Sequence, residues 1–413
     1  MKKLIIFTNR FPFDNAEPYL ESEINYFDQF EEIHIFSLSV TRQMEARNLG
    51  LENIKVHAIY YSGFIHYLVK AMLLFFQKSF YKEIIYLLKQ RKLNFVTLKN
   101  LMVFMGRTNL EKEKILNIIE DKDIINTNDK VILYSYRFDH LSYLITQMQF
   151  DCEKIVRVSR AHGKDLYEFR HPNDYIPLRN YILDNIDTLF LISKEGYNYI
   201  KKHYPQYDHK YVISYLGTEK LYPIKVSKNK NDHLQILSVS NVNIVKRVDL
   251  IYKALNNSSL PIKWTHFGDG EFFTELKEMI KNKNPNLKIN LEGHVNNNLI
   301  KRNLQTEYYD LFINLSTTEG IPVSIMEANS VGIPALATDV GGTSEIVEDG
   351  VTGILVNVND SVSNISSKLI TFARLNEERK FLLRKNAKEK WEISFSASKN
   401  YVSFSKKLCN LLN

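Results

Sequence analysis

Two glutamates in this chain, Glu319 and Glu327, have the residue type and spacing to do chemistry. Glu319 lies in the loop Ser316-Thr317-Thr318-Glu319-Gly320-Ile321-Pro322, after the apolar run Leu311–Leu315, and Glu327 falls about two turns into the helix expected to follow. Carboxylates accept hydrogen bonds from hydroxyls, so a pair aimed into one crevice suits a sugar and a ribose. Gly320 and Pro322 punctuate a tight strand-to-helix turn, and the free amides of the helix start at Val323-Ser324 suit an anionic ligand. A second turn opens on Gly341-Gly342, where the backbone can approach a phosphate closely, and a third at Asp349-Gly350-Val351-Thr352-Gly353.

Three further constellations follow strand-like runs. Ser240-Asn241-Val242-Asn243-Ile244-Val245-Lys246-Arg247 brings two adjacent cations before a helix, and Gly268-Asp269-Gly270 closes the next strand. In the first half, Arg160-Ala161-His162-Gly163-Lys164-Asp165 follows the run Ile155–Ser159. A histidine there can bond a sugar hydroxyl or stabilise positive charge growing at an anomeric carbon. Thr8-Asn9-Arg10 through Glu17 follows the first strand, and Glu17 is a weaker candidate for an acceptor hydroxyl.

The elements that must position these residues alternate. Leu4–Phe7, Ile33–Phe36, Val131–Tyr134, Ile155–Ser159 and Thr188–Ile192 read as buried strands, with helices such as Pro18–Phe30 and Ser193–His203 between them. The pattern restarts with Leu234–Ser240, Ile262–Phe267, Lys288–Leu291, Leu311–Leu315, Pro334–Thr338 and Gly353–Val356. Alternation of this kind signals parallel sheets covered on both faces. The expected fold is therefore α/β, with two doubly wound Rossmann-like domains. One spans residues 1–220, with a terminal helix near 394–413 packing back on it. A polar linker covers 221–233, and the second domain spans 234–393. Ligands of such sheets sit beyond the carboxyl ends of the strands, so a cleft between facing domains is the expected site.

Composition narrows the function. The 413 residues are 44% hydrophobic and 24% charged, which excludes a disordered or fibrous chain. Cys152 and Cys409 are the only cysteines, which excludes a disulfide framework and fits a reducing cytoplasm. The opening apolar stretch Leu4–Phe7 is too short for a signal segment, and no run approaches the length of a membrane span. The net charge of +7 is concentrated: residues 61–110 carry eight basic groups and one acidic group. Tyr67–Leu88 within that stretch reads as one or two amphipathic helices, either packed on the sheet with a lysine-rich outer face or lying on an anionic membrane. Nucleic acid is the least favoured partner, because no recognised binding module accompanies the charge.

The linked run from Ser316 to Gly353, with Glu319-x7-Glu327, Gly332-Ile333-Pro334 and the Gly-Gly turn, resembles the family four glycosyltransferases of GT-B fold. The Ala-His-Gly-x-Asp segment at 161–165 resembles members that build bacterial surface polysaccharides. The resemblance implies a retaining hexosyltransferase-type enzyme moving a sugar from a nucleotide-diphosphate donor to a hydroxyl acceptor, saccharide or lipid-linked, at the inner face of the cell membrane. It implies catalytic roles for His162, Glu319 and Lys246. Donor contacts are implied at Glu327, Gly320, Ile321, Pro322, Val323, Ser324 and Gly268. Asn241 stands where the family has an arginine, and Arg247 where it has a glycine; Arg247 is then the candidate for a second cation on the diphosphate. Arg160, Asp165 and Glu17 are the acceptor-side candidates. No metal or cofactor is expected, since no Asp-x-Asp accompanies a donor-site strand. The alternatives are a GT-B enzyme that is not a transferase, such as a sugar-nucleotide epimerase, and a catalytically silent partner subunit.

Overall fold

The computed structural model describes residues 1–14, 17–63, 66–67, 70, 72–222 and 233–413. The chain divides into two compact units, Met1–Ser214 with Tyr401–Asn413, and Tyr215–Asn400. The division falls at Ser214, ahead of the expected 220. Thr218 N donates to Phe395 O, and Ala397 N donates back to Thr218 O, which ties the residues after 214 to the second unit. Of the expected linker, residues 223–232 lie outside those described.

The first unit is built on seven strands, β1 (Lys2–Thr8), β2 (Glu32–Val40), β3 (Ile54–Tyr60), β4 (Lys130–Ser135), β5 (Lys154–Ala161), β6 (Thr188–Leu191) and β7 (Tyr211–Ile213). Their order is β3-β2-β1-β4-β5-β6-β7, and every pairing is parallel. Alternation along the strands splits the core in two. Ile5, Phe7, Val131 and Leu133 face one layer, while Leu4, Ile6, Ile132 and Tyr134 face the other. Buried on both faces, such strands read as continuous apolar runs, which is why β1 and β4 are legible from sequence. Two helices that bear on function below are α1 (Lys78–Lys89) and α2 (Phe95–Asp121).

The second unit holds six strands, β8 (Leu234–Val239), β9 (Ile262–Phe267), β10 (Leu287–Gly293), β11 (Leu311–Asn314), β12 (Ala335–Thr338) and β13 (Gly353–Val356). Their order is β10-β9-β8-β11-β12-β13, again all parallel. The helices α3 (Val248–Asn256) and α4 (Val323–Ser330) start just beyond β8 and β11. In both sheets the connections run outward in opposite directions from a central pair, β1 and β4 in one and β8 and β11 in the other. That pair is the topological switch point, where neighbouring loops diverge and leave room for a ligand at the carboxyl edge.

The last helix, α5 (Ala397–Asn410), belongs mostly to the first unit. Phe404, Leu408 and Leu412 close the layer formed by Leu4, Ile6 and Ile132. No helix of the described residues is long and apolar enough to cross a membrane.

Candidate functional site

In the second unit, the loops after β8, β11 and β12 are laced together at the switch point. Thr317 N donates to Val245 O at 2.8 Å, and Gly342 N donates to Gly320 O at 3.1 Å. Gly341 has φ +54, and a Cβ there would stand 1.9 Å from Glu319 O, so only glycine lets the β12 turn approach the β11 loop. The same holds at Gly268, with φ +136 and a Cβ that would meet Ser240 O at 1.9 Å. Gly268 thus sets loop spacing through its backbone. Asn241, on the loop it presses against, is exposed.

This lacing brings Lys246 and Glu319 together. Lys246 Nζ donates to Glu319 Oε1 at 2.6 Å, and Asn314 Nδ2 donates to the same oxygen at 3.3 Å. Burial alone would push the Glu319 carboxyl up. The Lys246 charge, with hydrogen bonds from Lys246, Ser316 and Asn314, outweighs that and holds it below its ordinary range. Glu319 is therefore a carboxylate, and Lys246 remains partly open to solvent. Glu327 lies inside α4, 7% exposed. Burial pushes its carboxyl up, opposed by the Lys301 charge and a hydrogen bond with Asn297. The two glutamates thus have separate cationic neighbours. Pro322 directly precedes α4 and makes no side-chain cap, so capping side chains leave the first amides of that helix unclaimed. Ile321 and Val323 are buried beneath the turn, and Gly320 and Ser324 stay partly exposed.

Arg247 stands directly before α3. It adopts φ 47, the left-handed conformation that glycine takes without strain. Its Nε donates to Leu315 O at 2.6 Å and its Nη1 to Val358 O at 2.8 Å. The guanidinium clasps two loop carbonyls and holds the turn, while its Nη2 has no hydrogen-bond partner among the described residues. Beside it lies a largely apolar pocket of about 490 Å³, lined by Val242, Ile244, Phe272, Leu276 and Met279 among others.

In the first unit, His162 stands just past the end of β5, 8% exposed, with its ring 4.7 Å from that of Tyr136. Neither ring nitrogen has a hydrogen-bond partner among the described residues. Burial pushes its pKa down against the pull of Asp165, whose carboxylate is 3.6 Å away. Asp165 accepts from His162 N at 3.0 Å and from Phe138 N at 2.7 Å. It is a positioning group, 4% exposed, and has little surface to offer an acceptor.

The two other acceptor-side candidates are also tied into the first unit. Arg160 is fully buried, paired with Glu23 and donating to Ser214 O at 3.0 Å, with its guanidinium 4.5 Å from the Phe404 ring. Glu17 accepts from the backbone amides of Asn9, Arg10 and Phe11 at 3.0–3.4 Å and so closes the loop after β1. Both act in holding the fold. Arg137, which the sequence reading did not single out, is a further cation of this edge. It follows β4, lies 3.5 Å from Glu17, and is 29% exposed. Its only sequence signal is its position just past a strand end at the switch point. Among the described residues, no group of three or more His, Cys, Asp or Glu is placed to hold a metal ion.

Residues 223–390 match the family model described as Glycosyl transferases group 1. The putative colanic acid biosynthesis glycosyltransferase WcaL of Escherichia coli is 28% identical over 172 residues, 40% of this chain and 42% of that protein. The N-acetyl-alpha-D-glucosaminyl L-malate synthase of Bacillus anthracis is 23% identical over 246 residues, 57% of this chain and 63% of that protein. The matches therefore span less than two thirds of either relative's length. Among solved structures, Anabaena Alr3699/HepE in complex with UDP and glucose superimposes with a TM-score of 0.67 at 14% identity, over 99% of both chains. The α/β architecture of two Rossmann-like units is that of the GT-B class.

Proposed function

We propose, from the match of residues 223–390 to the group 1 glycosyl transferases, that the chain moves a sugar from a nucleotide-diphosphate donor to a hydroxyl acceptor with retention at the anomeric carbon. The observation that carries this reading is the Lys246–Glu319 pair at the β8/β11 switch point, beside the start of α4. In this reading Glu319 accepts hydrogen bonds from donor sugar hydroxyls, and Glu327 from the ribose. Lys246 and the first amides of α4 take the charge that develops on the departing phosphate. Gly320, Ile321, Pro322, Val323 and Ser324 supply the backbone against sugar and diphosphate, with Gly268 lying towards the base and Asn241 at the place of a diphosphate-binding arginine.

His162, in the first unit, is the proposed catalytic histidine. Burial favours the neutral form of its imidazole, and neither ring nitrogen has a hydrogen bond among the described residues, which suits a sugar hydroxyl or the charge growing at the anomeric carbon. The acceptor attacks on the face the phosphate leaves, and the leaving phosphate oxygen takes the acceptor proton. No metal or cofactor enters the proposal. The acceptor class is a saccharide or lipid-linked saccharide of a bacterial surface polysaccharide, the setting named for the colanic acid relative. Such an acceptor places the reaction at the inner face of the cell membrane.

The test is turnover across a panel of nucleotide sugars and lipid-linked acceptors, with the product anomer assigned by proton NMR. Lys246→Ala is expected to lower kcat about 10²–10³-fold, the usual cost of deleting one preorganised donor to a developing anion. Near-normal turnover of Glu319→Ala would remove the donor-site assignment, and an inverted product would remove the retaining mechanism.

A further inference from the structure

The cationic stretch of residues 61–110 is not used in the proposed transfer chemistry, and the structure sorts its charges. Arg107 is spent on Glu111 at 2.7 Å and Lys70 on Glu113 at 2.5 Å. Its one acid, Glu83, is turned inward at 5% exposure, where it accepts from Tyr175 Oη and Leu178 N, both at 2.9 Å. Ser79, Phe80 and Leu87 join Glu83 on the buried side of α1.

What remains outside is a stripe of two kinds of residue. Tyr81, Ile85 and Leu88 are 50–57% exposed and recur at the spacing of one helix face. Lys78, Lys82 and Lys89 are exposed among them. Phe75 and Phe76 extend the stripe before the helix, at 57% and 88% exposure, and Phe95 lies just beyond it, at 79%. An ordinary surface helix turns a polar face to water. This one turns large apolar groups and lysines outward, with its single carboxylate withdrawn. Lysine stems lie along apolar surface while their ammonium groups reach for phosphate, which is the pattern of a helix lying in a lipid interface.

We propose that the outer face of α1, with Phe75, Phe76 and Phe95, seats this protein on an anionic lipid surface. The aromatic and aliphatic side chains enter the headgroup boundary, and Lys78, Lys82 and Lys89 contact lipid phosphates. The occupant follows from charge complementarity, because α1 withdraws its one carboxylate and turns Lys78, Lys82 and Lys89 outward, which matches a continuous sheet of anionic headgroups. The proposal stands on this surface alone and does not depend on the glycosyl-transfer reading.

The full-length protein is sedimented with vesicles of phosphatidylcholine, with and without phosphatidylglycerol, at low and high salt. Binding is expected only with the anionic lipid and is expected to fall with salt. The Lys78→Gln, Lys82→Gln double variant is expected to bind about 30-fold more weakly, from about 1 kcal/mol per lysine near the surface. Phe76→Ser with Ile85→Ser is expected to weaken binding as well. Both pairs change outward side chains, so circular dichroism and Tm should match the parent. Three results would overturn the proposal: no binding to anionic vesicles at low salt, binding unchanged in both double variants, or self-association that Phe76→Ser with Ile85→Ser abolishes while vesicles are ignored.

Discussion

Asn329 sits in α4 with no exposed surface, and neither its carboxamide oxygen nor its nitrogen has a hydrogen-bond partner among the described residues. A buried polar group left unpaired costs about 1–3 kcal/mol. Asn329→Leu, which is close in size, is therefore expected to raise Tm in a thermal melt. The Lys246–Glu319 pair makes a prediction about pH. Glu319 has a depressed pKa in the folded state, so its contribution is complete above the unfolded value of about 4.3 and is lost as pH falls through the lower folded value. The stability gap between the parent protein and Glu319→Gln, followed by urea unfolding, is expected to be widest near neutral pH and to close in acid. At this scale the sequence shows which groups stand at strand ends but does not show where their charges are spent. Arg160 and His162 are two residues apart and look equally available; in the structure one is paired with Glu23 inside the core, and the other has no hydrogen bond to either ring nitrogen among the described residues, with the Asp165 carboxylate 3.6 Å from Nδ1.

The loops at the carboxyl edge depend on close backbone approach. Gly341→Ala places a Cβ 1.9 Å from Glu319 O at a positive φ, whereas Gly350→Ala, at φ +70, meets nothing within 4 Å. Both variants bear the conformational cost, on the order of 1 kcal/mol. Only Gly341→Ala should also displace the Glu319 loop, so it is expected to lose most activity while Gly350→Ala keeps it; paired assays and melts check this. The apolar strands beside each switch point were readable, because burial on both faces leaves an uninterrupted run. β3 was not, because Ile54–Tyr60 interleaves Lys55 and His57 at the sheet edge. β7 has only three residues. The helix expected over Pro18–Phe30 stops at Ile24. Past that point Phe27 and Phe30 are buried through turns, so their apolar spacing imitates a helix without making one.

Across the whole molecule, the end of the chain completes the sheet at its beginning. Phe404 lies 4.9 Å from the Phe190 ring, 5.6 Å from Tyr134 and 6.1 Å from Phe27. Phe404→Ala is expected to destabilise the first unit by about 3–5 kcal/mol, as a lower denaturant midpoint. The same long-range closure sharpens the charge count: the +7 of residues 61–110 includes two cations already paired with acids of α2, and the exposed remainder shares its surface with apolar side chains. By itself the sequence determined the two αβ repeats, and with them the carboxyl edge of each sheet, where Lys246 and Glu319 in one and His162 in the other had to appear, because a parallel sheet sends all its strand-to-helix loops to the same side. Only the tertiary structure decided which charged groups keep a surface for a ligand. That depends on partners far away along the chain, Glu23 for Arg160 across 137 residues and Lys246 for Glu319 across 73, and local patterning carries no record of such pairings.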